Sequence, residues 1–141
     1  MKQIQPFSVI YSDNDIIVFN KKSGLLVAAD RYDKDAPRLE VLAQKEFGEL
    51  LAVHRIDKDT TGSIIACKND MAHKEIAAQL KEHSIVRKYR AICAGVIKED
   101  SGTVNAPIGR DEKDRKKMAV NPKNGKEAIT HYHVLERFKD Y

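Results

Sequence analysis

The chain has 141 residues, of which 42% are hydrophobic and 33% charged, and its formal net charge is +4. This size suits one domain with a single hydrophobic core, and this composition argues against a disordered chain. No apolar run approaches the ~20 residues needed to span a bilayer, and no apolar segment of a secretory signal follows the first residues, so we expect a cytoplasmic protein.

Two short strands and a helix are predicted in the first fifty residues. Residues 8–11 and 16–20 are largely apolar, and the Asp13-Asn14 turn between them predicts a hairpin. Between residues 39 and 47 the apolar side chains recur at helical spacing, with charged residues between them. This pattern predicts a short amphipathic helix.

Two apolar runs in the middle of the chain, residues 51–53 and 63–67, predict two buried strands joined by a loop. Asn69 and Asp70 then form the start signal of a second helix. The apolar positions of that helix, between residues 72 and 80, fall on one face. We therefore expect this face to pack on the core.

Residues 85–94 alternate between two sets of side chains, which is the periodicity of a strand. Tyr89 would then point inward, beside small or apolar neighbours. From the pattern alone, Tyr89 is equally well a core aromatic residue with a satisfied hydroxyl or a catalytic residue.

The cysteines and the last histidines give no sign of a disulfide or a metal site. Cys67 and Cys93 lie in separate apolar runs without Cys-x-x-Cys spacing, so both are expected to be buried free thiols in a reducing compartment. His131 and His133 would share one strand face and could together hold a metal, but no further ligand lies at suitable spacing. Ordinary surface histidines, or histidines that face a bound partner, are the favoured interpretation.

The remaining segments predict a loop followed by a hairpin. Residues 110–117 are polar and charged and are expected to form a loop. Residues 118–120 and 127–137 are expected to pair around the turn at residues 121–125. Because most of the predicted strands are joined by short turns, the fold class is α+β, with a mixed, mainly antiparallel sheet and flanking helices.

Positive charge is concentrated in one part of the sequence. Residues 81–126 contain twelve Lys or Arg against six Asp or Glu, so this window carries +6 and the rest of the chain −2. Such a zone suits a polyanionic partner, because neutralising phosphates and releasing counterions drives most nucleic-acid affinity. Charge alone, however, favours an ordinary solvated lysine-rich surface.

Residues 54–62 read His-Arg-Ile-Asp-Lys-Asp-Thr-Thr-Gly and place Asp57 on the loop between the two middle strands. Rigid strands on both sides are a common setting for a loop that does chemistry. In one interpretation, Asp57 and Asp59 accept backbone amides within a turn; in the other, Asp57 is a catalytic carboxylate. The local pattern by itself favours the turn.

The same nine residues resemble the His-Arg-Leu-Asp-x-x-Thr-[Ser/Thr]-Gly signature of the RluA-type pseudouridine synthases, and most closely that of the RluD-like branch. The resemblance extends from about Val9 to Phe138. Residues 10–21 look like the family's opening strand, which leads into an Asn-Lys-Pro-x-Gly turn. Lys22 stands where proline is usual, so the turn is expected to be less rigid than in relatives.

A second part of the resemblance lies later in the chain. Residues 87–91 look like the strand that carries the family's active-site tyrosine, here Tyr89, and residues 102–108 resemble the segment after it. The family's fold is a mixed, largely antiparallel sheet flanked by helices, with the active site in a cleft across it.

The resemblance implies an enzyme that isomerises uridine to pseudouridine in RNA without a metal or other cofactor. Asp57 would act as nucleophile or as electrostatic partner after the target nucleotide is flipped out of its stack. Arg55 would fill the vacated space and hold phosphate, while Tyr89 would stack on the base or move a proton. Ribosomal RNA is the expected substrate and tRNA the alternative. The residues expected to contact RNA are His54, Arg55, Thr60, Thr61, Arg87, Lys88, Arg110, Arg115, Lys116 and Lys117.

Family members usually continue into a Thr-Gly-Arg-x-His-Gln-Ile-Arg segment, whose arginine offsets the charge of the catalytic carboxylate. The sequence ends before such a segment and lacks the frequent amino-terminal S4 domain, so residues 1–141 are expected to form a single catalytic domain truncated at its carboxyl end. Arg55 and Arg87 are then the candidate substitutes for that cation.

Two other functions stay open. One is an RNA-binding fragment without catalysis, which the missing carboxyl-terminal segment favours. The other is a glycosidase that uses Asp57 and Asp59, but their i, i+2 spacing on a turn does not give the opposed carboxylates that such enzymes need.

Overall fold

The computed structural model describes residues 5–29 and 35–140, and the chain divides into two compact units, residues 1–87 and 88–141. The first unit contains a four-stranded sheet and two helices, and the second contains two sheets of two strands each. The pairs formed by these strands are antiparallel. The α+β fold class is confirmed, with the strands distributed over three sheets.

The elements of the first unit follow the order predicted from the sequence. They are β1 (Phe7–Ser12), β2 (Ile16–Lys21), α1 (Leu39–Phe47), β3 (Leu51–Ala52), β4 (Gly62–Cys67) and α2 (Asp70–Lys81). The strand order in the sheet is β1-β2-β4-β3. The strand that follows the Asp57 loop, β4, is therefore an interior strand with a neighbour on each side.

The core of the first unit lies between this sheet and α1. Alternate positions of β2 and β4 are buried, as is one side of α1; the residues are Ile17, Phe19, Ile64, Ala66, Leu39 and Ala43. Phe7 meets Phe19 edge to face, with ring centroids 5.4 Å apart. Period-two burial in the strands and one-sided burial in the helix confirm the elements predicted here.

The second helix begins as predicted but is not a core helix. The Asn69 side chain accepts a hydrogen bond from Ala72 N–H at 2.9 Å, which caps the helix. None of the residues of α2 is buried, and its apolar positions, such as Ile76 and Leu80, are half-buried. The prediction of a core-packing helix is wrong because this face only partly meets other residues of the first unit.

The second unit pairs its strands differently from the predicted hairpin. Its strands are β5 (Ser101–Asn105), β6 (Ile108–Arg110), β7 (Met118–Val120) and β8 (Ile129–His133). The strand at 118–120 pairs with β6, and the strand at 129–133 pairs with β5, so the predicted pairing of residues 118–120 with 127–137 is wrong. Alternation shows which residues share a face but does not select the partner strand.

The predicted strand at residues 85–94 is absent. This segment pairs with no strand among the described residues, and Val86, Tyr89 and Ile92 are exposed. A strand is stable only with a hydrogen-bonded neighbour, so alternation without a partner does not make one. Cys93 is exposed as a result, although both cysteines are free as expected and Cys67 is buried.

Candidate active site

The loop at residues 53–61 joins β3 to β4 and carries Asp57 at its centre. Its ends are fixed because β3 and β4 pair with each other, with Ala52 opposite Ala66. Within the loop, Ile56 is buried in the core, while Asp57 next to it is exposed. Burial of Ile56 thus holds the loop on the core and leaves the adjacent carboxylate accessible.

The Asp57 carboxylate has no hydrogen-bond or ion-pair partner within the described part of the chain. The turn is closed by backbone groups instead, because Thr60 N–H donates to the Asp57 carbonyl at 3.2 Å. Asp59 is exposed as well. A turn held by carboxylate-to-amide hydrogen bonds, the alternative left open by the sequence, is therefore not what the structure contains.

A buried lysine lies beneath this loop. The Lys21 side chain is fully buried at the end of β2, with 0% of its surface exposed. Its ammonium group donates to the carbonyls of Lys58 at 2.7 Å, Leu25 at 2.7 Å and Lys22 at 3.0 Å. Because an ammonium group has three donors, each has a partner, and one of these partners is in the Asp57 loop.

The electrostatic surroundings of Lys21 link it to the acids of the loop. Burial lowers the pKa of Lys21 because it penalises the charged form, while the negative charges of Asp59 and Asp57 act in the opposite direction. Lys21 is therefore a cation whose field reaches both carboxylates without a direct contact.

The turn after β2 is fastened to the same loop. Gly24 N–H donates to the Lys58 carbonyl at 3.0 Å, and Lys22 N–H donates to the Pro6 carbonyl at 3.0 Å. A proline at position 22 could not make the second bond, so the lysine adds an anchor that the usual family residue lacks. Gly24, in the turn after β2, and Gly62, at the end of the Asp57 loop, have φ values of +88° and +122°. Glycine adopts such positive φ values more readily than residues with a side chain.

The side chain of His54, near the start of the loop, points toward β4 and not toward solvent. Ile65 N–H of β4 donates to His54 Nε2 at 2.9 Å. The pKa of His54 is lowered, mainly by burial and also by the positive charge of Arg87. The side chain also lines a mostly apolar cavity of about 220 Å³ between α1 and strands β3 and β4. Asp57 does not line this cavity, so the two residues face different surroundings.

The other candidates of the first unit are accessible. Arg55, Thr61 and Arg87 are exposed, and Thr60 is half-buried. Arg55 and Thr60 lie on the same short loop as Asp57, between the end of β3 and the start of β4. Arg87 is linked to the loop through its charge effect on His54.

Lys88 and Tyr89 belong to the second unit, at its first residues. Tyr89 is 63% exposed, so the predicted inward orientation is wrong. The reason is the missing strand pairing described above, since without a neighbouring strand nothing covers one side of the segment.

The four basic candidates of the second unit, Arg110, Arg115, Lys116 and Lys117, lie on the hairpin formed by β6 and β7. All four are exposed. The Arg110 guanidinium donates to the Arg115 carbonyl at 3.3 Å, and Lys117 lies 3.6 Å from the Asp114 carboxylate. Asp111 organises the turn by accepting hydrogen bonds from the N–H groups of Lys113 and Asp114 at 2.8 Å. The predicted loop is therefore an ordered hairpin turn whose basic groups face solvent.

No metal centre or membrane helix is found in residues 5–29 and 35–140. These residues contain no group of three or more His, Cys, Asp or Glu side chains placed to hold a metal ion. His131 in β8 instead contacts the Thr103 hydroxyl through Nδ1 at 2.8 Å. Neither α1 nor α2 has the length and apolar character of a membrane span.

Comparison with known proteins gives the family. The model of the RNA pseudouridylate synthase family matches residues 15–141. The chain belongs to the RNA pseudouridylate synthase family. Among the relatives, the uncharacterized RNA pseudouridine synthase YlyB of Bacillus subtilis is 41% identical over 94% of this chain. The ribosomal large subunit pseudouridine synthase D of Pseudomonas aeruginosa is also 41% identical, over 93% of the chain.

These pseudouridine synthases are longer than the chain. The alignments cover 46% of the Bacillus protein and 42% of the Pseudomonas protein, so the chain spans a little under half of their length. The human RNA pseudouridylate synthase domain containing 1 has the same fold, with a TM-score of 0.73 at 23% identity, over 96% of this chain and 56% of the human chain. The predicted membership in the RluA-type family, with RluD-like relatives, is confirmed.

Lys21 was not among the residues predicted for the site, where Arg55 and Arg87 were named as the candidate cations near Asp57. A signal for Lys21 was present, because it follows Ile17 and Phe19 at alternate positions of one strand. A lysine in register with two core residues has to be buried with its ammonium group satisfied.

Proposed function

We propose that this chain carries the catalytic loop of an RNA pseudouridine synthase and that Asp57 is its catalytic carboxylate. The observation that carries the proposal is the exposed Asp57 side chain, without partners within the described residues, on a loop that Lys21 holds from below. Membership in the pseudouridylate synthase family supports the reaction type.

The proposed reaction is an isomerisation, so it needs no external oxidant or reductant. The bond between N1 of uracil and C1′ of ribose breaks, the base rotates, and a C5–C1′ bond forms. The proton on C5 is released, and N1 gains a proton. A carboxylate suits this chemistry because it can attack an electron-poor centre or stabilise positive charge that develops on the sugar.

The target uridine has to leave its stack before Asp57 can reach it. In the proposed mechanism, Arg55 fills the space left by the base and holds phosphate, since it is exposed two residues before Asp57. Tyr89 stacks on the extruded base or moves a proton. The groups proposed to hold the surrounding RNA are Thr60, Thr61, Arg87, Lys88, Arg110, Arg115, Lys116 and Lys117. His54, which the sequence also suggested for this role, is left out because its Nε2 accepts from Ile65 N–H.

The proposed substrate is ribosomal RNA of the large subunit, with tRNA as the alternative. This choice follows the relatives that are named ribosomal large subunit pseudouridine synthase D. Action on ribosomal RNA in turn implies a cytoplasmic protein. Residues 1–141 are proposed to belong to one catalytic domain of the synthase type.

A tritium-release assay tests the role of Asp57. RNA transcripts of the large-subunit and tRNA type, with tritium at C5 of uridine, are incubated with the chain, and tritium in water is counted. Asp57→Asn should lower the release by at least about 10³-fold, because the catalytic group is lost while its size is kept. Asp59→Asn is the matched control and should stay near the unchanged protein. Equal activity of the Asp57 variant would refute the assignment.

RNA binding without catalysis is the second candidate function. The exposed basic hairpin turn of the second unit favours it, because this turn presents four cationic side chains independently of Asp57. Filter binding of the same transcripts by the chain, together with no tritium release, would support this function. Binding should then be unchanged in Asp57→Asn.

A further inference from the structure

The hydrogen-bond ladder between β3 and β4 is completed by a side chain. The register pairs Leu51 with Cys67 and Ala52 with Ala66, and pairing stops there. The next position on β4 is Ile65, whose N–H donates to His54 Nε2 at 2.9 Å instead of to a carbonyl of β3. Because β3 ends at Ala52, the His54 imidazole takes the place of a β3 carbonyl as the acceptor for Ile65 N–H.

This hydrogen bond fixes the protonation of His54. A backbone N–H can only donate, so Nε2 must be unprotonated and the proton of the neutral ring lies on Nδ1. His73, which lines the same cavity, has the opposite arrangement, since its Nε2 lies 3.1 Å from the Ala52 carbonyl and must donate. Protonation would break the His54 bond and leave the His73 bond intact.

The charged groups around His54 favour the neutral ring overall. Burial and the positive charge of Arg87 lower the pKa of His54 below its ordinary value of 6.5. Glu40 of α1 and His73 of α2 are the titratable groups that share its cavity. Glu40 lies 3.9 Å from the Arg38 guanidinium, whose positive charge partly offsets that of the Glu40 carboxylate.

The Asp57 loop is thus anchored on both sides of the carboxylate. His54 ties its first part to β4, and Lys58 is tied to Lys21 and Gly24. We propose that His54 is a positioning residue that, in its neutral form, fixes the Asp57 loop on β4 through Ile65 N–H. This inference rests on the proposed function and assigns His54 a role within the protein, whereas the sequence had suggested contact with RNA.

The hydrogen bond is tested on the chain itself by NMR. At pH 7.5 the nitrogen spectrum of His54 should show an unprotonated Nε2 and a protonated Nδ1. Protonation should occur below pH 6.5, and protection of the Ile65 amide from exchange should fall with it by about tenfold, as expected for the loss of one hydrogen bond. A protonated Nε2 at pH 7.5 would overturn the proposal, whether or not any variant folds.

Two substitutions test the effect on the loop. His54→Leu removes the acceptor, while His54→Gln keeps an oxygen acceptor that does not titrate. The Leu variant should lose protection at the Ile65 amide and at the Thr60 amide, which closes the turn at Asp57, and the Gln variant should keep both. Thr60 protection that is unchanged in the Leu variant would show that His54 does not order the loop.

Turnover separates positioning from direct RNA contact. His54→Leu should lower kcat by roughly 10- to 100-fold with little change in KM, because misplacing a catalytic group costs rate and not binding. His54→Gln should restore kcat and remove the decline of kcat that depends on His54 below pH 6.5. A higher KM with unchanged kcat in both variants would mean RNA contact and refute positioning. No turnover in the unchanged protein would refute the proposed function, and the exchange data would still decide the role of His54.

Discussion

At the scale of single residues, Lys21 is the side chain that connects the Asp57 loop to β2 in the candidate site. Its ammonium group joins three backbone carbonyls that come from the turn after β2 and from the Asp57 loop. A buried charge is costly unless it is fully hydrogen-bonded, and here each donor has a partner. Lys21 therefore links the turn after β2 to the Asp57 loop. Because Lys21 lies outside that loop, the sequence of the loop does not reveal this contact.

Replacing Lys21 should destabilise the Asp57 loop, because the Lys58 carbonyl loses the hydrogen bond from the ammonium group. Lys21→Met keeps the length of the side chain but removes one donor from each of three carbonyls, of which that of Lys58 keeps the Gly24 N–H, so the free energy of unfolding should fall by about 2–4 kcal/mol. Urea denaturation followed by circular dichroism measures this change. Lys58→Met is the control, because that exposed residue takes part only through its backbone carbonyl, and its effect should stay within about 0.5 kcal/mol. Similar losses in both variants would contradict the role given to Lys21.

At the scale of elements, α2 depends on its cap more than on burial. None of its residues is buried, so the Asn69 side chain, which accepts from Ala72 N–H and donates to Asp15 at 2.8 Å, ties the helix start to the turn between β1 and β2. A helix with little buried surface gains a larger share of its stability from such terminal contacts.

Asn69→Ala should lower the free energy of unfolding by about 1 kcal/mol, since the N–H group of Ala72 loses its acceptor. The urea midpoint of the first unit measures the effect. Asn69→Ser separates the two bonds, because serine still caps the helix but does not reach Asp15. If the Ser variant loses as much stability as the Ala variant, the contact with Asp15, and not the cap, supports α2.

At the scale of the whole molecule, the chain is basic, with a formal net charge of +4 and a sequence pI near 9.0. Twelve of its 25 Lys and Arg residues lie between residues 81 and 126. The exposed basic hairpin turn belongs to this window. Affinity for RNA should therefore be salt-dependent, and the dependence should come mainly from this part of the sequence.

Removing two charges from the hairpin turn tests this expectation. Arg115→Gln combined with Lys116→Gln should weaken binding to all RNA sequences and lower the slope of log K against log salt by about two, roughly one for each phosphate that is no longer neutralised. Filter binding over a range of salt concentrations gives the slope. Lys45→Gln with Lys74→Gln removes the same charge from the two helices and should leave the slope nearly unchanged. Equal slopes in the two double variants would contradict RNA binding by the hairpin turn.

The sequence by itself determined the local features of this protein. The elements of the first unit followed from apolar periodicity and from the Asn69 cap, because these signals act over a few residues and the structure uses them directly. The stretch around Asp57 was identified in the same way, as a polar loop between two apolar runs. Its residues also carried the resemblance to the family that the comparisons confirm.

Only the tertiary structure decided which distant groups meet. Residues 85–94 have strand periodicity but no paired neighbour among the described residues, and residues 118–120 pair with β6 where a hairpin with the following segment was predicted. Lys21 binds the Lys58 carbonyl 37 residues away, and His54 accepts from Ile65 N–H 11 residues away. A sequence pattern reports which side chains share a face, but partner choice depends on hydrogen bonds and packing between segments far apart in the chain. The geometry of the Asp57 loop depends on such contacts between distant segments.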